Sequence, residues 1–436
     1  MTTSKYPTHL RAQRSLYNRT LDQNGLDAAV VYAGQPAYQF LDDNTYPFKV
    51  NPLFKAWLPV TDAPDSFVIH RPGNKPTLLF CQPVDYWHAV PEDPSGEWTE
   101  HFDIKVIRKL EDARAHVPEG NTVLLGDAPD SVLAWDFKHV NPEPVLNTIH
   151  FARAWKSEYE IDCMAEASRL GVRGHIAARD AYRDGRAEFG IHLAYLDATD
   201  LSDNELPYNN IIALNEHGAV LHYTHREREA PDDIRSFLID AGAQYRGYAS
   251  DITRTYASRP GPFADLVDAV DKVQQTLCDG VRAGTSYVAL HEKATHALAE
   301  VLVDAQIIKT DAQSAVASGL ATRFFPHGLG HYLGLQVHDV GGFMGNESGT
   351  HVAAPEAYPA LRLTRTIEAS QVMTIEPGIY FIPQLLDPLR DTHEGEVVNW
   401  GAVDELLPFG GVRIEDNVVA TAGAPRNLTR EAFAEA

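Results

Sequence analysis

The sequence predicts an α+β protein in two parts, a smaller N-terminal α/β domain over residues 1–155 and a larger domain over 156–436. Three observations lead there. The chain has 436 residues, more than a single apolar core usually serves. Its first 150 residues alternate one helical pattern with short β-branched runs. Beyond the proline-rich Asn141-Pro-Glu-Pro144, long helical patterns and apolar strands come in separate runs.

Taken in order, Tyr6 to Asn24 reads as a helix with Leu10, Leu16, Tyr17 and Leu21 near helical spacing, and Gly25 stops it. Ala28 to Tyr32, Ser66 to His70, Thr77 to Cys81 and Thr122 to Leu125 read as strands. Asp62 to Pro64 and Pro72 to Pro76 read as turns, and Pro91 to Trp98 as a loop. Trp87, His88 and Trp98 lie around that loop, where core packing is the simpler expectation and an exposed binding face the other. A helix starts at Ser157, whose spacing to Glu160 is that of a capping box. Further helices are expected over Glu188 to Asp197, Leu266 to Arg282 and Leu290 to Ile308, with Gly284 as a C-terminal cap. Strands are expected in Asn210 to Ala213, Ser236 to Tyr256, Val372 to Phe381 and Gly411 to Val419.

Sixty acidic against 37 basic residues give a formal charge of −23. Such a surface repels phosphate backbones, so nucleic-acid binding is not expected. Cys81, Cys163 and Cys278 are odd in number and far apart, which argues against a disulfide framework and a thiolate zinc site. The N-terminus lacks the apolar stretch of a signal peptide, and no run of about 18 apolar residues would span a membrane. A cytoplasmic protein is expected.

Four segments carry chemistry. In Phe237-Leu-Ile-Asp-Ala-Gly-Ala243 and Ala249-Ser-Asp-Ile-Thr-Arg254, Asp240 and Asp251 sit within two strand patterns joined by a turn at Tyr245, Arg246 and Gly247. Asp is depleted in strands. Paired strands lie about 4.8 Å apart, so the two carboxylates can meet and then need a cation between them. An Asx turn or an ion pair with Arg254 is the plainer alternative. In Val372-Met-Thr-Ile-Glu-Pro-Gly378, Glu376 ends an apolar strand before a turn. In Gly411-Val-Arg-Ile-Glu-Asp-Asn417, Arg413 and Glu415 share a strand face, as a structural ion pair also would. Finally, His327, His331 and His338 fall within 12 residues of a glycine-rich stretch. That stretch lacks the Glu of a zincin helix and the surroundings of a dinucleotide fingerprint.

Together Asp240, Asp251, His331, Glu376 and Glu415 form a coherent set. Four carboxylates balance two divalent metal ions, and one imidazole completes a shell. Oxygen-rich ligation favours Mn²⁺, with Co²⁺, Fe²⁺ and Zn²⁺ also compatible. Two such ions can share a water and lower its pKa, or polarise a carbonyl or phosphoryl oxygen.

These segments, in this order, resemble the pita-bread metallopeptidases: methionine aminopeptidase, aminopeptidase P and prolidase. The family's ligand order Asp, Asp, His, Glu, Glu maps onto Asp240, Asp251, His331, Glu376 and Glu415 with none missing. The resemblance covers roughly residues 156–430 and implies a pita-bread catalytic domain behind a smaller N-terminal one. The stretches Glu376-Pro-Gly-Ile-Tyr-Phe-Ile382 and Phe409-Gly-Gly-Val-Arg-Ile-Glu-Asp416, with Phe40-Leu-Asp-Asp-Asn-Thr-Tyr-Pro-Phe-Lys-Val-Asn-Pro52, resemble proteobacterial Xaa-Pro dipeptidases. Some of these also hydrolyse organophosphorus esters and fluorides.

The resemblance implies a dipeptide substrate with C-terminal proline, proton transfer by Glu376, and His338, His327 and His222 as substrate-side histidines. Arg413 is expected to grip the proline carboxylate. Tyr208, Leu221, Tyr287, Val337 and Leu361 are the expected pocket walls. A homodimer is implied, with Asp43 and Trp87 closing the partner subunit's site; an ordinary surface or core-packing role is the alternative for both. Creatinase shares the fold without the metal ligands, and methionine aminopeptidase lacks so large an N-terminal domain. Two readings stay open: an aminopeptidase P acting on longer Xaa-Pro peptides, and a non-catalytic peptide-binding protein on the same fold.

Overall fold

The computed structural model describes residues 5–436. Helix α1 (Tyr6–Gln23) begins with proline in its first turn and buries Tyr6, His9, Leu10, Tyr17 and Leu21. Gly25 follows in the left-handed region at φ 62° and turns the chain into the sheet. That sheet holds β1 (Ala28–Tyr32), β2 (Phe67–His70), β3 (Thr77–Cys81), β4 (Asp103–Ile107), β5 (Thr122–Leu125) and β6 (His139–Val140), in the order β4-β3-β2-β1-β5-β6. Every residue of β1, β2 and β5 is buried, which is why they read as unbroken apolar runs. Edge strands β4 and β6 are short and largely exposed, and the sequence pattern did not reveal them. Asn141-Pro-Glu-Pro144 is a helix start: α2 (Glu143–Ala152) places Pro144 in its first turn.

The second half opens with α3 (Glu158–Arg183). Ser157 Oγ accepts from the Glu160 N–H at 3.4 Å, and the Glu160 carboxylate accepts from the Ser157 N–H at 2.7 Å, the expected capping box. Helix α4 (Glu188–Thr199) packs along α3. Strands β7 (Ile211–Leu214), β8 (Ser236–Asp240) and β11 (Thr253–Ala257) form one sheet with β8 central, and β9 (Gln244–Tyr245) pairs with β10 (Tyr248–Ala249) as a small excursion between β8 and β11. Helices α5 (Pro262–Asp279) and α6 (Tyr287–Asp304) start three or four residues before their expected bounds. Gly284 is not a cap. It lies in the α5–α6 connection at φ 91° and donates its N–H to the Ile367 carbonyl at 2.8 Å.

Strands β12 (Val372–Ile375), β13 (Gly378–Tyr380), β14 (Gly411–Arg413), β15 (Asp416–Val419) and β16 (Arg426–Asn427) form two small sheets, β12-β15-β16 and β13-β14. Helix α7 (Leu428–Glu435) closes the chain. A Thr253–Glu415 bridge joins the β8 and β14–β15 regions, and a Tyr332–Met373 bridge ties the histidine stretch to β12. One apolar cluster runs from Leu10, Phe54 and Trp57 to Tyr159, Met164, Leu333 and Val372, so both halves share packed contacts. The three cysteines are buried and free. No helix among the described residues is long and apolar enough to cross a membrane.

Glu160 also receives the Tyr248 hydroxyl at 3.2 Å and lies 3.6 Å from His9 Nδ1. Burial opposes its charge, but His9, Lys156 and the Ser157 N–H outweigh burial and hold it down at about 2, against an ordinary 4.5. Its contribution is therefore present above about 4.5 and is lost as pH falls through about 2. Glu160→Gln is expected to cost about 1–3 kcal/mol at pH 7 and much less at pH 3, measured by denaturant unfolding at both.

Candidate metal centre and active site

Asp240 is the last residue of β8, and its partner across the ladder is Thr253. Asp251 lies just before β11, so neither Asp is in mid-strand as the pattern implied. The two carboxylates do meet. The Tyr208 hydroxyl lies 2.8 Å from Asp240 Oδ1 and 2.5 Å from Asp251 Oδ1, one phenolic proton serving both. Arg254, the alternative ion-pair partner, instead pairs with Asp416 at 2.7 Å.

Glu376 follows β12, and Glu415 stands between β14 and β15. Glu415 Oε2 accepts from Thr253 Oγ1 at 2.7 Å. His331 faces the same space, with Nε2 at 3.4 Å from Asp251 and 3.6 Å from Glu376. Its Nδ1 lies 2.9 Å from the Tyr332 carbonyl, which only accepts, so Nδ1 carries the proton and Nε2 is free to ligate. One ligating atom each of Asp251, His331 and Glu415 lies within 4.8 Å of the others.

Burial and mutual repulsion govern this group. Burial raises Asp240, pushes Glu376 up to about 7, and with Asp251, Glu376 and Asp240 nearby drives Glu415 well above the carboxylate range. Asp251 goes the other way, because hydrogen bonding and charge from His331 outweigh its burial. Four adjacent carboxylates that resist ionising together, with an imidazole lone pair aimed among them, are a donor set that divalent cations fit.

A cavity of about 270 Å³ opens on the group, lined by all five residues and by Leu221, His222, His327, His338, Arg362 and Arg413. The His338 ring lies edge-on to His331 at 4.2 Å, and burial followed by the His331 charge lowers it to about 4. The neutral ring offers one donor and one acceptor nitrogen. His327 is already engaged: Nδ1 donates to the Gly328 carbonyl at 2.8 Å, and Nε2 accepts from the Tyr380 hydroxyl at 2.8 Å.

Arg413 differs most from expectation. Nη2 donates to Asp240 at 2.7 Å, Nη1 to the Tyr380 hydroxyl at 2.8 Å and Nε to Thr253 Oγ1 at 3.2 Å. With each nitrogen already donating once and 4% exposure, Arg413 is held in place orienting Asp240. The free cation is Arg362. It is exposed on the same cavity and has no ion pair or side-chain hydrogen bond among the described residues. Nothing in Ala360-Leu-Arg-Leu363 marked it.

Of the expected walls, Tyr208 and Val337 line a second, adjoining cavity and Leu221 the first. Tyr287 and Leu361 do not line either. Tyr287 is fully buried and donates to the Thr374 carbonyl at 2.9 Å, and Leu361 packs beneath Gly328. Asp43 and Trp87 are exposed and border neither cavity, which excludes core packing and agrees with the ordinary-surface alternative. Trp98, by contrast, packs against Phe102.

The comparisons with known proteins agree with this geometry. The profile described as "Xaa-Pro dipeptidase, N-terminal domain" matches residues 4–151, and that of "Metallopeptidase family M24" matches residues 162–422. The chain belongs to metallopeptidase family M24. A curated Xaa-Pro dipeptidase of Stenotrophomonas maltophilia (strain K279a) is 50% identical over 99% of this chain and 98% of its own length. One of Xanthomonas campestris pv. campestris (strain B100) is 50% identical over 98% of each. Among solved structures, Escherichia coli aminopeptidase P with the inhibitor Pro-Leu superposes at TM-score 0.74 with 22% identity, covering 99% of this chain and 96% of that one. Yersinia pestis proline aminopeptidase P II gives 0.71 and 24%, over 99% and 97%. The pita-bread architecture of the M24 family is thus the fold of the larger half.

Sequence reasoning also missed Glu188. Its buried carboxylate accepts from the Leu214 N–H at 2.9 Å, His217 Nδ1 at 2.7 Å, the Tyr223 hydroxyl at 2.7 Å and the Glu227 N–H at 2.8 Å. These bonds pin residues 214–227, the segment that presents Leu221 and His222. Glu188→Ala strands four donors and is expected to cost about 2–4 kcal/mol in thermal unfolding while metal content stays at the unsubstituted level.

Proposed function

We propose that this protein is an Xaa-Pro dipeptidase that works with two divalent metal ions, Mn²⁺ by preference, held by Asp240, Asp251, His331, Glu376 and Glu415. The observation that carries the reading is the exposed, unpartnered Arg362 on the small cavity that contains the whole candidate ligand set. A guanidinium there can hold the carboxylate of a C-terminal proline bidentately. The 50% identity to curated Xaa-Pro dipeptidases supports the same conclusion.

When bound, the metal pair supplies a nucleophile at neutral pH and polarises the scissile carbonyl. The chain's own groups do the rest. Arg413 and Tyr208 fix Asp240 and Asp251, so the ligand geometry needs no rearrangement during reaction. His338, neutral and without another partner among the described residues, is placed to hydrogen-bond the substrate carbonyl. His222 flanks the same space. The Glu376 carboxyl borders the same cavity, where it is placed to carry a proton to the departing proline nitrogen. A neutral organophosphorus triester would use the same groups except Arg362, having no carboxylate to bind.

Metal-stripped protein should be inert, and Mn²⁺ should restore cleavage of Ala-Pro with little action on Ala-Pro-Ala. Efficient removal of Ala from the tripeptide would make it an aminopeptidase P, and no cleavage of either by metal-loaded protein would leave the peptide-binding reading. Arg362→Ala is expected to lower kcat/KM for Ala-Pro by about 100-fold. Its loss on Ala-prolinamide or an organophosphorus ester should be much smaller. Equal losses on all of them would remove Arg362 as the carboxylate clamp.

We further propose a homodimer whose N-terminal halves close the partner's cavity. Phe40 and Leu41 are about nine-tenths exposed, and Tyr38, Tyr86 and Trp87 more than two-thirds. Exposed apolar groups of this size mark an interaction face. Asp43 and Trp87 lie on the two segments that carry it. Phe40→Ser combined with Trp87→Ser should shift sedimentation to a monomer and raise KM for Ala-Pro; a monomeric unsubstituted protein would refute the arrangement.

A further inference from the structure

A second cavity, of about 550 Å³, adjoins the first and shares Asp240, Asp251, His222 and His338 with it. Two of the candidate metal ligands, Asp240 and Asp251, therefore border both spaces. If the proline ring and its carboxylate occupy the space with Arg362, the first residue of the dipeptide extends into the other. This step rests on the dipeptidase reading above.

The second cavity is lined from the N-terminal half by Lys49 and Lys55. Lys55 Nζ donates to the Gly247 carbonyl at 3.2 Å and the Leu335 carbonyl at 3.0 Å, and Lys49 Nζ donates to the Asn204 carbonyl and to that of Leu206 at 2.8 Å. Neither ammonium has a carboxylate within 4.0 Å among the described residues, although 60 of the 436 residues are acidic. Each has three protons and spends two on neutral carbonyls, so one remains for a ligand. Burial, with the Arg153 charge behind it, brings Lys55 down to about 8, the behaviour of a cation short of an anion.

We propose that this cavity is the subsite for the first residue of the dipeptide and that Lys49 and Lys55 select an acidic side chain there, favouring Glu-Pro and Asp-Pro. The selectivity is electrostatic, because a neutral amide of the same shape can accept the remaining proton but leaves the positive charge uncompensated. Gln244 and Gln336 line the cavity as neutral donors and do not reverse that preference.

The test compares Mn²⁺-loaded protein on Glu-Pro, its isostere Gln-Pro, and Ala-Pro. Glu-Pro is expected to exceed Gln-Pro in kcat/KM by about tenfold, mostly through KM, and the advantage should shrink with added salt. Lys49→Met and Lys55→Met should each bring the Glu-Pro to Gln-Pro ratio toward one. If Lys55→Met fails to fold, the Lys49→Met ratio and the isosteric pair on the unsubstituted enzyme still decide. Cleavage of Ala-Pro and Gln-Pro with no advantage for Glu-Pro would overturn the acidic subsite alone, as would ratios that both variants leave unchanged. Failure on all three dipeptides would overturn the dipeptidase reading itself.

Discussion

Four carboxylates crowded into one buried space repel each other, and much of the C-terminal architecture serves to hold them there. Burial alone would protonate them, as the raised values of Asp240, Glu376 and Glu415 record. The fold opposes this with directed donors. Arg413 charges against Asp240, Tyr208 spans Asp240 and Asp251, and Thr253 donates to Glu415. Each donor comes from a different segment, so the acidic group also ties together the β8–β11 sheet and the β13–β14 pair. A divalent pair would complete the neutralisation that the protein donors only begin.

Close backbone approach makes the cluster compact. A Cβ at Gly330 would fall 2.2 Å from the Thr374 carbonyl, so only glycine lets the histidine stretch lie against β12 and set His331 between Asp251 and Glu376. Farther along the stretch, buried Asp339 is held by Lys156 at 2.9 Å and by Arg153, both from the connection before α3. Breaking such a pair leaves an uncompensated buried charge. His338, next in sequence to Asp339, therefore takes its position partly from the junction between the two halves.

The sequence disclosed what depends on unusual residue types in apolar surroundings. Asp240, Asp251, Glu376 and Glu415 stood out because carboxylates interrupt strand patterns, and all four come together. Long buried strands and the Ser157–Glu160 box were legible for local reasons. Edge strands β4 and β6 were not, since they are short and leave most of their residues facing water. Arg413 and Arg362 show the deeper limit. Both sit between apolar neighbours, and which one is consumed by Asp240 and which is left free depends on contacts over 100 residues away. Tyr287 and Leu361 failed for a related reason: lying near a motif in sequence does not decide which side of a wall a side chain faces.

That the candidate ligands Asp240 and Asp251 border two cavities gives the molecule a direction. One side offers the free guanidinium of Arg362, the other the ammoniums of Lys49 and Lys55, and the carboxylate cluster lies between. A net charge of −23 makes these basic side chains conspicuous, since the acidic background repels the anions they would receive in the proposed roles. Affinity for an anionic substrate must therefore arise at short range, inside the cavities, where desolvation strengthens each contact. With Arg362 in its proposed role, substrate length follows from the same geometry. A chain that continued past proline would have to bury its next residue against Arg362 without a carboxylate to meet it, and the unpaired guanidinium would count against that substrate.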